Sequence, residues 1–291
     1  MLRMPKPLKW SLAFLTLAII MCLGFVLYRL HLGQLNQELI TAAEANDLER
    51  VRKLLDSGAN PAVGKNMIRG SSNWLIDLQV KLGFYRADQS LLDIAAARRH
   101  WDVVDLLIER GAAADPAKAR LAFHSACWNG RETTVNLVLD RGISVEVPDY
   151  DGRTALVLAF QHHQYPIVKV LLERGALVQP LLNSYKSINL GGVPASPLEV
   201  LGIGSFRDGD EEMLRLLIEK GLPVDTPLHE GRTPLIAAAI ANKSELAKFL
   251  LDRNADVNAK DDKGHTALRY AVSRNNTALA DHLRQTGGKD E

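Results

Sequence analysis

Residues 231–258 read GRTPLIAAAIANKSELAKFLLDRNADVN, and this stretch decides the fold. Its first half predicts a short helix, because Thr233 can cap free backbone N–H groups and Pro234 can take the first helical position without losing a bond. Ala238 and Ala239 are small enough to let a second helix approach closely. The apolar stripe of that second helix is Leu246, Phe249, Leu250 and Leu251. The stretch therefore predicts two helices joined by a short turn.

The same frame recurs along the chain, which indicates a repeat architecture. Similar units run from Asp149 to Gly175 and from Asp261 to Gly287. Each unit ends on a residue suited to a left-handed conformation, and these closing residues are Gly58, Gly111, Gly142, Gly175, Gly221, Asn254 and Gly287. Their spacings are 53, 31, 33, 46, 33 and 33 residues. A period of 33 with two longer intervals predicts about seven helix–turn–helix repeats over residues 36–288.

The chain resembles the ankyrin-repeat family, whose repeats have this period and begin with a Thr-Pro-Leu-like start. The resemblance rests on Thr233-Pro234-Leu235 and on the matching starts at Thr154 and Thr266. It covers nearly all of the chain after residue 36 and implies an all-α fold, an ankyrin-repeat solenoid of about seven repeats. The first and last repeats are more polar, as terminal repeats are when only one neighbour covers them.

Two insertions depart from the repeat pattern. Residues 61–89 alternate apolar and polar positions, as a strand does. They fit a helix face equally well, through Leu75, Leu78, Leu82 and Tyr85. Residues 178–195 are rich in Gly, Pro, Ser and Asn and predict an extended loop. The fifth repeat carries extra residues at 203–208, and residues 289–291 form a short tail.

The N-terminus predicts a membrane anchor. Residues 10–28 read WSLAFLTLAIIMCLGFVLY, 19 residues without a charge. As a helix they would extend roughly 28 Å, close to the hydrocarbon thickness of a bilayer. A cleaved signal peptide is the alternative, but its apolar region is shorter, and no small residues follow Tyr28 in the sequence Arg29 to Leu32. Residues 1–9 form a short basic segment, so the N-terminus is predicted to be cytoplasmic and the repeats periplasmic or otherwise extracytoplasmic.

Composition excludes a nucleic-acid partner. The whole chain has a formal net charge of +1. Residues 1–32 hold four basic residues and no acid, which leaves 31 basic and 34 acidic side chains in the remainder. This balance offers no basic surface for a phosphate backbone. Cys22 and Cys127 lie far apart in sequence, and no disulfide framework is predicted.

No arrangement of residues predicts catalysis, a metal site or a cofactor. His124 and Cys127 are three residues apart and could form a metal pair. In the repeat frame, however, they fall on the family's histidine position and on the second alanine position, which predicts core or hydrogen-bonding residues. His162 and His163 are adjacent, and adjacent residues cannot form the helical pair of ligands at i and i+4. The chain has no phosphate-binding glycine loop and no nucleophile elbow.

The resemblance implies that a protein partner binds the hairpin tips and the exposed positions of the first helices, on a concave face. The predicted partner-binding residues are Arg98, Trp128, Asn129, Tyr150, Asp151, Arg153, Gln161 and His162. Equivalent positions near the C-terminus are Asp262, Lys263, His265 and Arg274. We expect Trp128 and Tyr150 to matter most, since aromatic residues dominate interfaces.

The sequence thus predicts a non-catalytic protein-binding module, presented outside the cytoplasm on an anchor in a bacterial inner membrane. Narrower alternatives are an immunity protein that neutralises a secreted toxin enzyme, or a bacterial ankyrin protein that supports oxidative-stress defence. Another is a peripheral membrane-binding accessory protein, in which Trp74, Phe84 and Tyr85 enter the bilayer. An enzyme with a site in residues 61–89 is disfavoured, because this segment contains no His, Cys or Ser–His arrangement.

Overall fold

The computed structural model describes residues 6–64, 90–114, 116–182 and 209–289, with side chains from residue 14 onward except at 114–118. Within these ranges the chain forms thirteen α-helices and three short 3-10 helices, and no strand. The α-helices are α1 (Lys6–Glu44), α2 (Leu48–Asp56), α3 (Leu91–Ala97), α4 (Trp101–Glu109), α5 (Pro116–Asn129), α6 (Glu132–Asp140), α7 (Ala155–Gln161), α8 (Tyr165–Glu173), α9 (Asp210–Glu219), α10 (Pro234–Ile240), α11 (Ser244–Leu251), α12 (Ala267–Ser273) and α13 (Thr277–Gln285). The predicted all-α class is confirmed.

Most of both insertions lies outside the described residues. The open choice between helix and strand therefore concerns residues 65–89, which include Trp74, Phe84 and Tyr85. The extra residues 203–208 of the fifth repeat also lie outside. Of the predicted extended loop, the first residues are described, and Gln179–Leu182 form a 3-10 helix.

The chain divides into two compact units, residues 1–122 and 123–291. In the first unit, α1 packs on α2 and α3 packs on α4. In the second, the pairs are α7 with α8, α10 with α11, and α12 with α13. Corresponding helices of neighbouring repeats also meet, such as α10 with α12 and α11 with α13. Within each unit, neighbouring repeats therefore bury apolar surface on one another, as the sequence pattern predicts.

The predicted closing residues all adopt left-handed backbone conformations. Their φ values lie between 62° and 102°. After five of them, the backbone N–H of the following residue bonds to a carbonyl five residues earlier, as from Ala176 to Leu171 at 2.9 Å and from Ala255 to Leu250 at 3.1 Å. These bonds satisfy carbonyls that the end of a helix leaves free. The prediction from the seven closing positions is confirmed.

A second left-handed residue precedes the second helix of every repeat, and the sequence analysis did not single it out. These residues are Asn46, Arg99, Gly130, His163, Gly209, Asn242 and Asn275. They follow the same spacings as the closing residues. In the six repeats whose first helix the structure describes, the next N–H bonds to an alanine carbonyl of that helix, as from Lys243 to Ala238 at 2.9 Å. Arg99 and His163 adopt this conformation against the preference of L residues, at a cost of about 1–3 kcal/mol each.

The caps at the starts of the first helices are only partly as predicted. The hydroxyls of Thr233 and Thr266 each accept a backbone N–H three residues on, at 3.4 Å, and Pro234 occupies the first turn. Thr154 has the same extended backbone, yet its buried hydroxyl finds no hydrogen-bond partner among the described residues. Thr154 therefore does not cap its helix. Ser90, which the sequence analysis left out, forms a capping box with Asp93.

The core consists of the small and aliphatic residues that the repeat pattern places inward. Ala238 and Ala239 are buried between the helices. The apolar stripe of α4 is buried at Val103, Val104, Leu106, Leu107 and Ile108. The largest fully buried side chains are Phe123 and Phe160, on first helices of consecutive repeats. Small residues on the first helices and aliphatic residues on the second helices thus determine how the helices pack.

Helix α1 joins the apolar N-terminal run to the first repeat without a break. Among the described residues, one helix is long and apolar enough to cross a membrane, and it is this one. Its large apolar side chains from Phe14 to Leu30 are exposed. Near its end, Leu39 and Ala43 are fully buried in the first repeat. The sequence had suggested an anchor and a separate first repeat, but residues 29–38 contain no proline to stop the helix.

Candidate protein-binding surface

The structure places the eight predicted partner-binding residues in different units. Arg98 lies in the first unit, at the end of α3, where its guanidinium is 3.4 Å from the carboxylate of Glu44. The other seven lie in the second unit. Among these, Trp128 and His162 are in direct contact, and Arg153 lies close enough to influence the charge of His162.

Trp128 and His162 form a stacked pair on two consecutive repeats. Trp128 lies near the end of α5, and His162 directly follows α7. Their ring centroids are 3.7 Å apart, with an interplanar angle of 27°. Trp128 nevertheless remains 42% exposed. The indole is thus held against the imidazole while part of its surface stays open to solvent.

His162 is biased toward its neutral form. Burial lowers its pKa, and the positive charge of Arg153 and the neighbouring His163 lower it further. At neutral pH the pair is therefore an uncharged aromatic stack, which suits burial beneath a partner. Offset stacking of this kind adds about 0.5–1.5 kcal/mol beyond the area that it buries.

The hairpin tip before α7 presents Tyr150 on a rigid turn. Asp149 organises this turn, since one of its carboxylate oxygens accepts the backbone N–H groups of Asp151 at 2.9 Å and Arg153 at 2.8 Å. The other carboxylate oxygen of Asp149 accepts a hydrogen bond from Nε of Arg153 at 2.9 Å. Asp151 binds the same guanidinium at 2.7 Å. Arg153 is thus held by two carboxylates, while Tyr150 is 67% exposed at the tip.

Arg153 and Asp151 therefore stabilise the turn, and Tyr150 is the exposed aromatic residue of the tip. Asp149 was not among the predicted partner-binding residues. The signal was present, because Asp261 precedes the last tip at the equivalent position. The carboxylate of Asp261 likewise accepts the N–H groups of Lys263 at 3.0 Å and His265 at 2.8 Å.

The last tip is further braced by a tyrosine. The hydroxyl of Tyr270 donates to Asp261 at 2.6 Å. Burial would raise the pKa of Asp261, but the hydrogen bonds from Tyr270, His265 and Lys263 outweigh it and lower the pKa. Burial and the adjacent carboxylate raise the pKa of Tyr270. Lys263 also pairs with Glu230 at 3.2 Å, so this tip is held mainly by polar contacts.

Asn129 and Gln161 lie beside the stacked pair and differ in their bonding. The side-chain amide of Asn129 donates to the carbonyl of Ser125 at 2.7 Å. The amide nitrogen of Gln161 is buried and has no hydrogen-bond partner in the part of the chain that the structure describes. Leaving a buried donor unsatisfied costs about 1–3 kcal/mol.

The interpretation of His124 and Cys127 as core residues is confirmed. Both are buried, and Nε2 of His124 lies 3.0 Å from the carbonyl oxygen of Val147. Burial strongly raises the pKa of the Cys127 thiol, so the reactive thiolate is disfavoured. Within the described residues, no group of three or more His, Cys, Asp or Glu side chains could hold a metal ion.

Similarity to known proteins agrees with this architecture. A family model described as ankyrin repeats (3 copies) matches residues 39–149, 92–180 and 203–290. Neurogenic locus notch homolog protein 1 of Mus musculus is 32% identical over 49% of this chain and 5% of its own length. Transient receptor potential cation channel subfamily A member 1 of Homo sapiens is 22% identical over 82% of the chain and 26% of its own length. L-asparaginase of Dirofilaria immitis is 28% identical over 68% of the chain and 32% of its own length.

The chain spans less than a third of the length of each of these relatives. The shared part is therefore a module within larger proteins, and the activities in their names belong to those proteins. Ankyrin repeats are protein–protein interaction modules. The family model covers more than half of the chain and coincides with the paired helices and left-handed turns described above. The chain belongs to the ankyrin-repeat family.

Proposed function

We propose that this protein is a non-catalytic protein-binding module, carried outside the cytoplasm on an N-terminal membrane helix. The observation that supports it best is the partly exposed indole of Trp128, stacked on His162 across two repeats. Together with Tyr150 on the adjoining tip, these residues form what we call the aromatic patch. Its partner is a protein, in keeping with the binding role of the family.

The aromatic patch has the properties of an interface anchor. Trp and Tyr carry much of the binding energy in protein interfaces, and exposed aromatic groups mark interaction sites. Trp128 is fixed by the stack, and the turn beneath Tyr150 is fixed by Asp149. Little conformational entropy would be lost when a partner covers them, which favours binding.

The membrane part of the proposal is supported by α1. Its apolar side chains from Phe14 to Leu30 are exposed, as lipid-facing side chains would be. Three basic residues precede the apolar run, namely Arg3, Lys6 and Lys9, against Arg29 directly after it. The positive-inside tendency then keeps the N-terminus in the cytoplasm and places the repeats on the other side.

Partner binding is tested by crosslinking the intact protein in its native membrane, isolating it in detergent and identifying bound proteins by mass. Binding of the recovered partner is then compared among variants. Trp128→Ala and Tyr150→Ala should each weaken it by about 2 kcal/mol, roughly thirtyfold, if each side chain is an anchor. Val272→Ala is the matched control, because Val272 is an equally exposed apolar residue on α12.

The helical circular-dichroism signal and melting temperature of each variant should stay close to those of the wild type. A double variant of Trp128 and Tyr150 that binds its partner as tightly as the wild type would show that the aromatic patch is not the contact surface.

Anchoring is tested by fractionation. The protein should resist extraction by alkaline carbonate and be released by detergent, and protease added to spheroplasts should digest the repeats. Recovery of a soluble, shortened chain that begins after the apolar run would show that the segment is a cleaved signal peptide. Protection of the repeats from protease would contradict the orientation.

A further inference from the structure

We propose that a groove along α1, where the helix leaves its apolar run, binds the headgroup of an anionic phospholipid. This inference rests on the proposed membrane anchoring, since the groove would otherwise face only water. No other function described above uses these residues.

One face of α1 forms the floor of the groove. Arg29, Leu32, Gly33, Asn36 and Gln37 line it. Their spacing of i, i+3, i+4, i+7 and i+8 places them on the same side of a helix. The opposite wall comes from the loop after α2, through Asn60 and Val63. The cavity measures about 530 Å³, which is the size of an ordinary small-ligand site.

Hydrogen bonds fix the loop after α2 that forms the opposite wall of the groove. The side-chain oxygen of Asn36 accepts the backbone N–H of Asn60 at 2.8 Å and ties the loop to the helix. The side-chain oxygen of Asn60 accepts the N–H of Ala62 at 2.9 Å. Val63 is buried, and its carbonyl accepts the N–H of Leu91 at 2.8 Å. Hydrogen bonds therefore hold the loop at both ends.

Gly33 keeps the floor open. It lies in the middle of the lining face, and a Cβ placed on it would meet no atom within 4 Å. A larger side chain there would project into the groove without displacing the surrounding structure. The glycine therefore leaves a recess beside Arg29 that a bound group can occupy.

The lining chemistry favours an anion with an apolar tail. Arg29 provides a guanidinium, which makes strong, charge-assisted hydrogen bonds to phosphate oxygens. Gln34 and Gln37 provide amide donors that suit the ester and glycerol oxygens of a lipid. Leu30 and Leu32 provide apolar surface for the start of an acyl chain. No described residue lining the groove carries a carboxylate, so a cation would find no counter-charge.

The depth of the groove points to a lipid rather than to a soluble phosphate. Arg29 directly follows the apolar run, and its guanidinium carbon lies 5.3 Å from the ring centroid of Phe25, one turn closer to the membrane. Leu39, which is fully buried in the first repeat, is ten residues farther along. At 1.5 Å per residue this spacing is about 15 Å, so the groove lies at the headgroup layer.

The proposal is tested with full-length protein reconstituted in nanodiscs of mixed phosphatidylglycerol and phosphatidylcholine. Native mass spectrometry after release from the disc counts the lipids that each protein retains. Wild type should retain phosphatidylglycerol in preference to phosphatidylcholine. Arg29→Gln should lower the retained phosphatidylglycerol about fivefold, the effect of one basic residue near an anionic leaflet. Gly33→Leu should lower it similarly by filling the recess.

Two matched controls separate the site from general effects of charge or size. Arg52→Gln removes an exposed arginine of α2, and Gly24→Leu adds the same side chain at a helix position where a Cβ also meets nothing within 4 Å. Both should retain lipid as the wild type does. Equal retention of the two lipids by the wild type, or unchanged retention by Arg29→Gln and Gly33→Leu, would overturn the lipid site.

Carbonate extraction of the same proteins keeps this inference distinct from the anchoring itself. Protein that stays in the membrane but retains no phosphatidylglycerol would overturn the lipid site alone. Release of the wild type by carbonate would overturn both proposals.

Discussion

The hydroxyl of Tyr165 donates a hydrogen bond to the carboxylate of Asp210, a side chain that is only 2% exposed. The two residues begin α8 and α9, on either side of the second insertion. Nδ1 of His163 lies 3.0 Å from the same hydroxyl. Gly209 allows this approach, because it has a φ of 91° and a Cβ there would lie 2.9 Å from the tyrosine ring. A polar network thus links the fourth and fifth repeats where the 33-residue period is interrupted.

Removing this bond should destabilise the protein. Tyr165→Phe takes a donor away from a buried carboxylate, which we expect to cost about 1–3 kcal/mol. Asp210→Asn removes the charge at the other end. Urea unfolding of both single variants and the double variant in detergent gives the coupling energy, expected to exceed about 0.5 kcal/mol. Purely additive effects would mean that the bond contributes nothing of its own.

Because the first and second helices of a repeat pack closely, enlarging a buried alanine should lower the free energy of unfolding more than enlarging an exposed alanine. Ala238 is fully buried, so Ala238→Leu should overpack the helix pair and lower the free energy of unfolding by about 1–3 kcal/mol. Ala278→Leu adds the same atoms at an exposed position of α13 and should change it by less than about 0.5 kcal/mol. Equal melting temperatures for the two variants would contradict the packing described here.

Two threonines at equivalent positions, one that caps its helix and one that does not, offer a test with identical chemistry. Thr233→Val removes a hydroxyl that accepts the N–H of Ile236, and should cost about 0.5–2 kcal/mol. Thr154→Val removes a buried hydroxyl with no partner among the described residues, and should be neutral or stabilising. Chemical denaturation of both variants measures these changes in the free energy of unfolding. A larger loss at Thr154 than at Thr233 would show that the Thr154 hydroxyl makes a bond after all.

Stability should also depend on pH through His162. Burial and the nearby positive charges lower its pKa in the folded protein, so the unfolded chain binds the proton more readily. The stabilisation that neutral His162 gives the folded protein is complete above the unfolded pKa of about 6.5. This stabilisation is lost as the pH falls below that value. His162→Phe keeps an aromatic ring beside Trp128 but cannot titrate. Between about pH 7.5 and pH 5.5 the wild type should lose more stability than the variant, and parallel profiles would contradict this.

Local sequence signals predicted the repeat frame, because its turns need particular backbone conformations. The closing glycines and Asn254 could be located from their spacing alone, and all are left-handed in the structure. The same reasoning was incomplete for Arg99 and His163, which adopt that conformation without being Gly or Asn. There the neighbouring packed helices override the preference of a single residue.

The candidate site was predicted less completely, since its contacts join residues from different repeats. The stack of Trp128 on His162 follows from the 33-residue step, which places the ends of first helices side by side. The pairing of Tyr165 with Asp210 does not, because an insertion separates them in sequence and breaks the 33-residue step. Arg153 was expected to contact a partner, and the structure shows it bound to Asp149 and Asp151. Charge type alone could not distinguish these roles.

The continuity of α1 has a mechanical consequence. Between its apolar run and the first repeat, residues 29–38 of this helix contain no proline, loop or glycine pair, so the two parts must turn together about any axis. When the bilayer thins or thickens, a spanning helix responds by changing its tilt. In this protein such a tilt would swing Leu39 and the core around it by the same angle. A change in bilayer thickness would thereby reorient the first repeat relative to the membrane plane.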